Sequence, residues 1–320
     1  MLKILLNNQK MKMKIKSKKK IEKKNTYRVI FFCNWKENSA FSLLEELKML
    51  TPNCSGIFNN LIGTSNFDEA DIVIFLEGIP KNFYLNLSQK VVICYPREPF
   101  FHMRKNWEQY NLKYGFTYDS KFHVLADPKF LNKSHDFLTK LKYENKSKKL
   151  SMIVSGKGNN KFHLKRRNFA IELSNYFKNR CDIFGSKWNG ELNSKAYKGE
   201  LGFYHNDKNK NSSKYEGLID YQYSICIENV NRKNYFSEKF TDSILTNTIP
   251  IYSGCPNIGE YFPPNCYYLI DINSPHVFSD IEEIIKNPIT ELQINDLKIA
   301  RDLILNRYNI WGDINELIND

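Results

Sequence analysis

The stretch YQYSICIENVNRKNYFSEKFTDSILTNTIPIYSG, residues 221–254, decides the fold class. Tyr221, Tyr223, Ile225 and Ile227 recur at every second position, the mark of a strand, and deliver Glu228-Asn229 at its carboxyl end. A mostly polar, basic and aromatic segment follows. An apolar-periodic run then predicts a helix over 238–246, and Ile249–Tyr252 predicts the next strand. Strand, helix and strand in that order form a βαβ crossover, the unit of a parallel sheet.

Working outward, the same alternation of elements continues on both sides. Residues 150–154 read as a strand, 164–178 as a helix with Phe169, Leu173 and Phe177 on one stripe, and 181–184 as a short strand stopped by Gly185. A strand at 267–271 and a terminal helix at 291–308 complete the series, while 191–214, rich in Lys, Asn and Gly, reads as an exposed loop. Towards the amino terminus, Tyr27–Cys33, Asp71–Leu76 and Lys90–Tyr95 are strand-length apolar runs, and 41–50 has helical spacing with Ser39 as its cap. Strands without alternation, separated by helices, predict parallel sheets covered on both faces. The expected organisation is an α/β chain with a basic flexible tail at 1–25, a first domain at 26–131, a charged linker at 132–149 and a second domain at 150–320. The terminal helix is expected to pack back on the first domain.

Composition narrows the classes. With 42% hydrophobic and 14% aromatic residues, the chain can build real cores. The net charge is +12, but residues 1–24 hold ten Lys against one Glu, so +9 sits in the tail and about +3 in the body. A solvated leader accounts for that tail, and contact with an anionic membrane surface is its functional alternative. No specific nucleic acid is expected, because a nucleic-acid enzyme would carry a basic excess in its body. Seven cysteines form no CxxC pair, so reduced thiols are expected. With neither signal-peptide pattern nor transmembrane run, the expected location is cytoplasmic, peripheral to a membrane if the tail binds one.

The chemistry clusters in the opening stretch. Ligands of open α/β sheets bind outside the carboxyl ends of the strands. A helix starting near Ser237-Glu238 points its unpaired N–H groups at the same place, and Lys239 adds a full charge. Such a cluster suits a diphosphate. Glu238 would repel one, so its better role is to meet sugar hydroxyls or a developing cationic carbon. Each residue also has an ordinary structural explanation: Glu at a helix N-terminus gains ~0.3–1 kcal/mol from the dipole, Asn caps turns, and Lys sits on surfaces.

The series Tyr221, Tyr223, Ile225, Ile227, Glu228, Asn229, then Tyr235, Ser237, Glu238, Lys239, then Ile249, Pro250, Ile251, Tyr252 and Gly254 resembles the donor motif of glycosyltransferase family 10, the α1,3/α1,4-fucosyltransferases. Less closely, Asp68–Phe75 and Tyr95-Pro-Arg-Glu98-Pro99 resemble the segments around that family's catalytic Glu. This chain has Glu-Pro where the family typically has a Glu-Ser-Pro-like context. The resemblance implies a GT-B type fold, two Rossmann-like domains facing each other across a cleft. GDP-fucose would bind the carboxyl-terminal domain and a glycan acceptor the amino-terminal one, with inversion at the anomeric carbon. It implies Asn229 and Lys239 on the nucleotide and diphosphate, Glu238 on the fucose, Tyr235 in the donor's environment and Glu98 as catalytic base. The family also brings an arginine to the diphosphate from the first donor-domain helix, for which Arg167 is the better match and Arg166 is close behind.

No metal is expected, since the six His show no ligand spacing and no Asp-x-Asp occurs; no cofactor is required. Gly156-Lys157-Gly158 is too short for a phosphate loop and reads as a turn. Two alternatives stay open at this point. One is a transferase of the same fold with another nucleotide sugar. The other is a catalytically silent glycan- or nucleic-acid-binding protein.

Overall fold

The computed structural model describes residues 24–33, 39–76, 79–80, 83–95, 131–158, 161–202 and 213–319. The chain divides into two compact units. The first takes the described residues before 126, with Ser134–Asp136 and those from Asn306 on; the second takes 131–133 and Phe137–Leu305. Each is α/β and Rossmann-like, as the GT-B type requires.

In the first unit the strands are β1 (Tyr27–Cys33), β2 (Ile57–Phe58), β3 (Leu61–Gly63), β4 (Ile72–Leu76) and β5 (Val91–Tyr95), ordered β2-β3-β1-β4-β5. All neighbours are parallel except the short β2–β3 pair. Every residue of β4 and β5 is buried, which is why neither alternates. Helix α1 (Ala40–Leu47) is capped as expected by Ser39, whose hydroxyl accepts from Ser42 N at 3.1 Å.

In the second unit the elements are helix α2 (His135–Lys140), β6 (Lys148–Ile153), α3 (Lys161–Phe177), β7 (Asp182–Phe184), β8 (Tyr221–Ile227), α4 (Glu238–Leu245), β9 (Ile249–Ser253), β10 (Tyr268–Leu269), α5 (Val277–Lys286) and α6 (Glu291–Asn306). Helix α2 itself straddles the boundary between units. The sheet is ordered β10-β9-β8-β6-β7 and all its pairs are parallel.

Three segments differ from their sequence reading. Residues 132–149 are not a plain linker: they carry α2, whose Leu138 is buried, and the first residues of β6. Lys146 in that segment is buried too, its ammonium donating to Thr246 O at 3.0 Å, Thr248 Oγ1 at 3.2 Å and Ile219 O. Burial pulls that ammonium down to about 7, against the pull of Asp220. The polar composition concealed both because a lysine whose three protons all find acceptors can be buried. The segment 191–214 is not simply exposed, for Leu192, Ala196 and Leu201 are buried and Tyr197 bridges to Ile183. Lastly, a helix α7 (Ile310–Asn319) follows α6, and it belongs to the first unit.

Helix α7 is an integral part of that unit's core. Asn309 caps it, its Oδ1 accepting from Trp311 N at 2.9 Å and Gly312 N at 3.0 Å. Trp311 is fully buried, meets Phe31 of β1 edge-on at 5.2 Å and donates its indole N–H to Leu47 O at 2.9 Å. Tyr95 of β5 donates to Asp313 at 2.8 Å. Trp311→Ala should therefore cost about 3–5 kcal/mol, read as a lower urea midpoint for the first unit by circular dichroism. A loss below about 1 kcal/mol would make α7 an appendage rather than a core element.

Candidate functional site

The site follows from the strand order. The chain leaves β6 through α3 to β7 on one side, then returns to β8 on β6's other side. The carboxyl ends of β6 and β8 therefore border a topological switch point, where open α/β sheets bind ligands. Lys157 lies in the loop after β6, and His163 and Arg166 lie in the first turns of α3. The loop must pass close to its neighbour: a Cβ on Gly156 would lie 2.1 Å from Lys187 O.

At the end of β8, Glu228 is buried and fixes the start of α4. Its Oε1 accepts from Ser237 N at 2.7 Å and its Oε2 from Ser237 Oγ at 2.6 Å. Ser237 is in turn the N-cap of α4, its hydroxyl oxygen accepting from Lys239 N at 3.3 Å. Tyr252 of β9 adds its hydroxyl to Glu228 Oε1 at 3.4 Å and accepts from Cys255 N at 3.0 Å. Gly254 is required for this close approach, because a Cβ there would lie 2.4 Å from the Tyr252 hydroxyl and 2.5 Å from Glu228 Cγ. The intervening loop is pinned by Asn234, left-handed at φ 62°, which exchanges hydrogen bonds with Asn257 at 2.8 and 2.7 Å.

Beyond the cap the charges alternate. Lys239 Nζ lies 3.1 Å from Glu238 Oε1 and 3.9 Å from Glu228 Oε2. Lys214 Nζ lies 3.3 Å from the same Glu238 Oε1 and 3.2 Å from Asp242 Oδ2, with its side chain 7% exposed. Burial pushes the Glu238 carboxyl up, but Lys239 and Lys214 outweigh it and hold the acid well below the usual carboxylate range. Burial also dominates at Glu228, and there the carboxyl is raised despite Lys239 and Ser237. Lys214 is raised: burial alone would lower it, and Glu238 and Asp242 overcome that.

Of the residues singled out by sequence, Glu238 and Lys239 meet at the α4 N-terminus. Asn229 follows β8, and its Oδ1 is shielded from water with no hydrogen-bond partner among the described residues. Tyr235 is buried in the loop between Glu228 and the cap. Arg167 pairs with Glu191, its Nε at 3.2 Å from Oε2. Its neighbour Arg166 is the one turned inward, lining a small cavity with Lys214, Ser224, Glu238, Lys239 and Asp242. That cavity, about 30 Å³, holds a water or two rather than a nucleotide. Glu98 lies outside the described residues.

Sequence reasoning missed Lys214, concealed in a polar segment, and His163. Burial lowers the His163 imidazole, and the charges of Arg166, Lys157 and Lys239 lower it further, so three cations converge on this end of the sheet. Among the described residues no group of three His, Cys, Asp or Glu is placed to hold a metal ion. No disulfide joins the seven cysteines, all of which are described, and no described helix is long and apolar enough to cross a membrane.

Residues 143–296 match the family model described as glycosyltransferase family 10 (fucosyltransferase), C-terminal. An 81-residue segment is 35% identical to the alpha-(1,3)-fucosyltransferase FucT of Helicobacter pylori, over 25% of this chain and 15% of that protein. A 65-residue segment is 34% identical to a fucosyltransferase-like protein of Arabidopsis thaliana, over 20% of this chain and 13% of that one. The matches thus span less than a sixth of the relatives' own length. Among solved structures, an alpha1,3-fucosyltransferase with GDP aligns over 93% of this chain and 96% of its own at 17% identity and TM-score 0.45.

The tight seat at Gly254 generates a direct test. Gly254→Ala should force Tyr252 or Glu228 aside and lose about 1–3 kcal/mol, measured by urea unfolding. An unchanged midpoint would mean that the Glu228–Tyr252 contact is dispensable.

Proposed function

We propose, because residues 143–296 match the family model of the carboxyl-terminal part of glycosyltransferase family 10, that this chain moves fucose from GDP-fucose to a hydroxyl of a glycan acceptor, inverting the anomeric carbon and forming an α1,3 linkage. The observation that carries the reading lies inside the matched segment: Glu228 locks Ser237, and the capped helix α4 presents Lys239 and Glu238 together at one strand end. The linkage rests on the relative's name.

In this reading the acceptor oxygen attacks the anomeric carbon from the face opposite GDP, Glu98 takes the hydroxyl proton, and the bond from that carbon to the diphosphate oxygen breaks. The electron pair leaves with GDP. Its charge is met by the α4 N–H groups and Lys239, with Arg166 and Lys157 adding positive potential. Glu238, held ionised, accepts from sugar hydroxyls and faces the positive charge that develops at the anomeric carbon. Asn229 offers its amide to the nucleotide, and Tyr235 shapes the donor's surroundings. These groups meet the leaving charge without a metal, so we propose that transfer is metal-independent. The basic tail, described only at Lys24 and Asn25, is proposed to touch anionic membrane surfaces.

Lys239→Ala should weaken GDP and GDP-fucose alike by ~1.5–3 kcal/mol, the worth of a charge-assisted hydrogen bond; equal affinities by calorimetry would remove Lys239 from the donor site. Glu98→Gln should lower kcat by ~10²–10⁴-fold, the usual reach of general-base catalysis, while GDP-fucose binds normally. Transfer at the parent rate would place the base elsewhere. Activity should also survive excess EDTA; loss that Mn²⁺ restores would overturn metal independence.

A further inference from the structure

We propose that Lys214 is a positioning residue that keeps Glu238 ionised when the donor draws Lys239 away. The inference rests on the donor reading above and names a residue that no comparison assigns. Its ground is the division of contacts at one carboxylate. Both ammonium groups sit on Oε1 of Glu238, Lys239 at 3.1 Å and Lys214 at 3.3 Å. Oε2 has no hydrogen bond among the described residues and retains contact with solvent. One oxygen is clamped and the other has no described partner.

The two lysines are not equivalent. Lys239 is 21% exposed, caps into Ser237 Oγ at 3.2 Å and stands at the helix N-terminus, where a diphosphate binds. Lys214 is 7% exposed and anchored from below by Asp242, whose side chain is 2% exposed. A diphosphate can recruit Lys239; it has no such access to Lys214. Once Lys239 turns to the donor, Glu238 loses one counter-charge and gains two anionic neighbours, the phosphates. Among the described residues, the charged groups near this end include Arg166, which lines the same cavity, and Lys157, which acts on His163. A carboxylate in that setting would take up a proton unless a second cation stays. Protonated, it could no longer face a developing cation. Lys214 is the cation that stays, and because Asp242 balances its charge it adds no net attraction for the diphosphate itself.

The test counts protons. GDP-fucose, a diester with no phosphate titrating near neutrality, is bound at pH 7 by calorimetry in two buffers of different ionisation heat. Protons taken up by His163 are common to parent and variant and cancel in the difference. Lys214→Met should bind GDP-fucose with extra proton uptake, up to about one per donor, and Lys214→Arg should match the parent. Adding Glu238→Gln to Lys214→Met should abolish the extra uptake. Uptake that persists in the double variant belongs to Asp242 and overturns the assignment, as does a Lys214→Met protein with the parent's proton count. Should Lys214→Met not fold, Lys214→Met with Asp242→Asn removes both buried charges and serves in its place. A ligand-free measurement separates this inference from the donor reading: by ¹³C carboxyl titration, Glu238 should titrate at higher pH in the variant than in the parent. If it does while the parent ignores GDP-fucose, the donor reading fails and Lys214 stands. If it does not, Lys214 has no hold on Glu238.

Discussion

A buried carboxylate fixes the geometry of the second unit. Glu228 has no exposed side-chain surface, and a charge so placed is costly unless hydrogen bonds meet it. Ser237 supplies two, from its backbone and its hydroxyl, and Tyr252 a third. Since Ser237 is also the N-cap of α4, satisfying Glu228 decides where that helix begins, and so where Glu238 and Lys239 project. Strand β8, helix α4 and strand β9 are joined at this point, and Gly254 is small because anything larger would break it.

The two glutamates of this stretch show how environment separates roles. Burial pushes Glu228 towards the neutral form, whereas Glu238, with two lysines on one oxygen, is driven the other way. Carboxylates whose surroundings pull their proton affinities apart are a recurring feature of sites that handle charge. Glu228 accepts from the backbone and hydroxyl of Ser237 and from Tyr252. Glu238 keeps an oxygen in reserve, which is what a ligand-facing group requires.

Much of this was legible in the sequence, for identifiable reasons. The alternation of Tyr221–Ile227 was read with the bounds that β8 has, because its side chains alternate between two packed faces. β1 was also read with its observed bounds. Arg166 lies three residues before Phe169, on the buried stripe that continues to Leu173 and Phe177, so helical phase turns it inward, while Arg167 pairs with Glu191. Lys214 carried no such signal. A lysine in a polar segment reads as exposed, and only the fold brings it to Glu238 and Asp242, more than twenty residues on. Helix α7 did carry one, in the spacing of Ile310, Trp311, Ile314 and Ile318. Glu98 stands where the sequence left it, outside the described residues.

The place of α7 in the first unit also dictates a timetable. During synthesis β1 to β5 emerge early, but the tryptophan that fills their sheet face, and the aspartate that receives the Tyr95 hydroxyl, are made only after the whole of the second unit. Domains usually mature from the amino terminus as they leave the ribosome. Here the order is reversed in part: the second unit can close while the first still shows an apolar face, so the amino-terminal half is the last to reach its native packing and the one most in need of a chaperone while it waits.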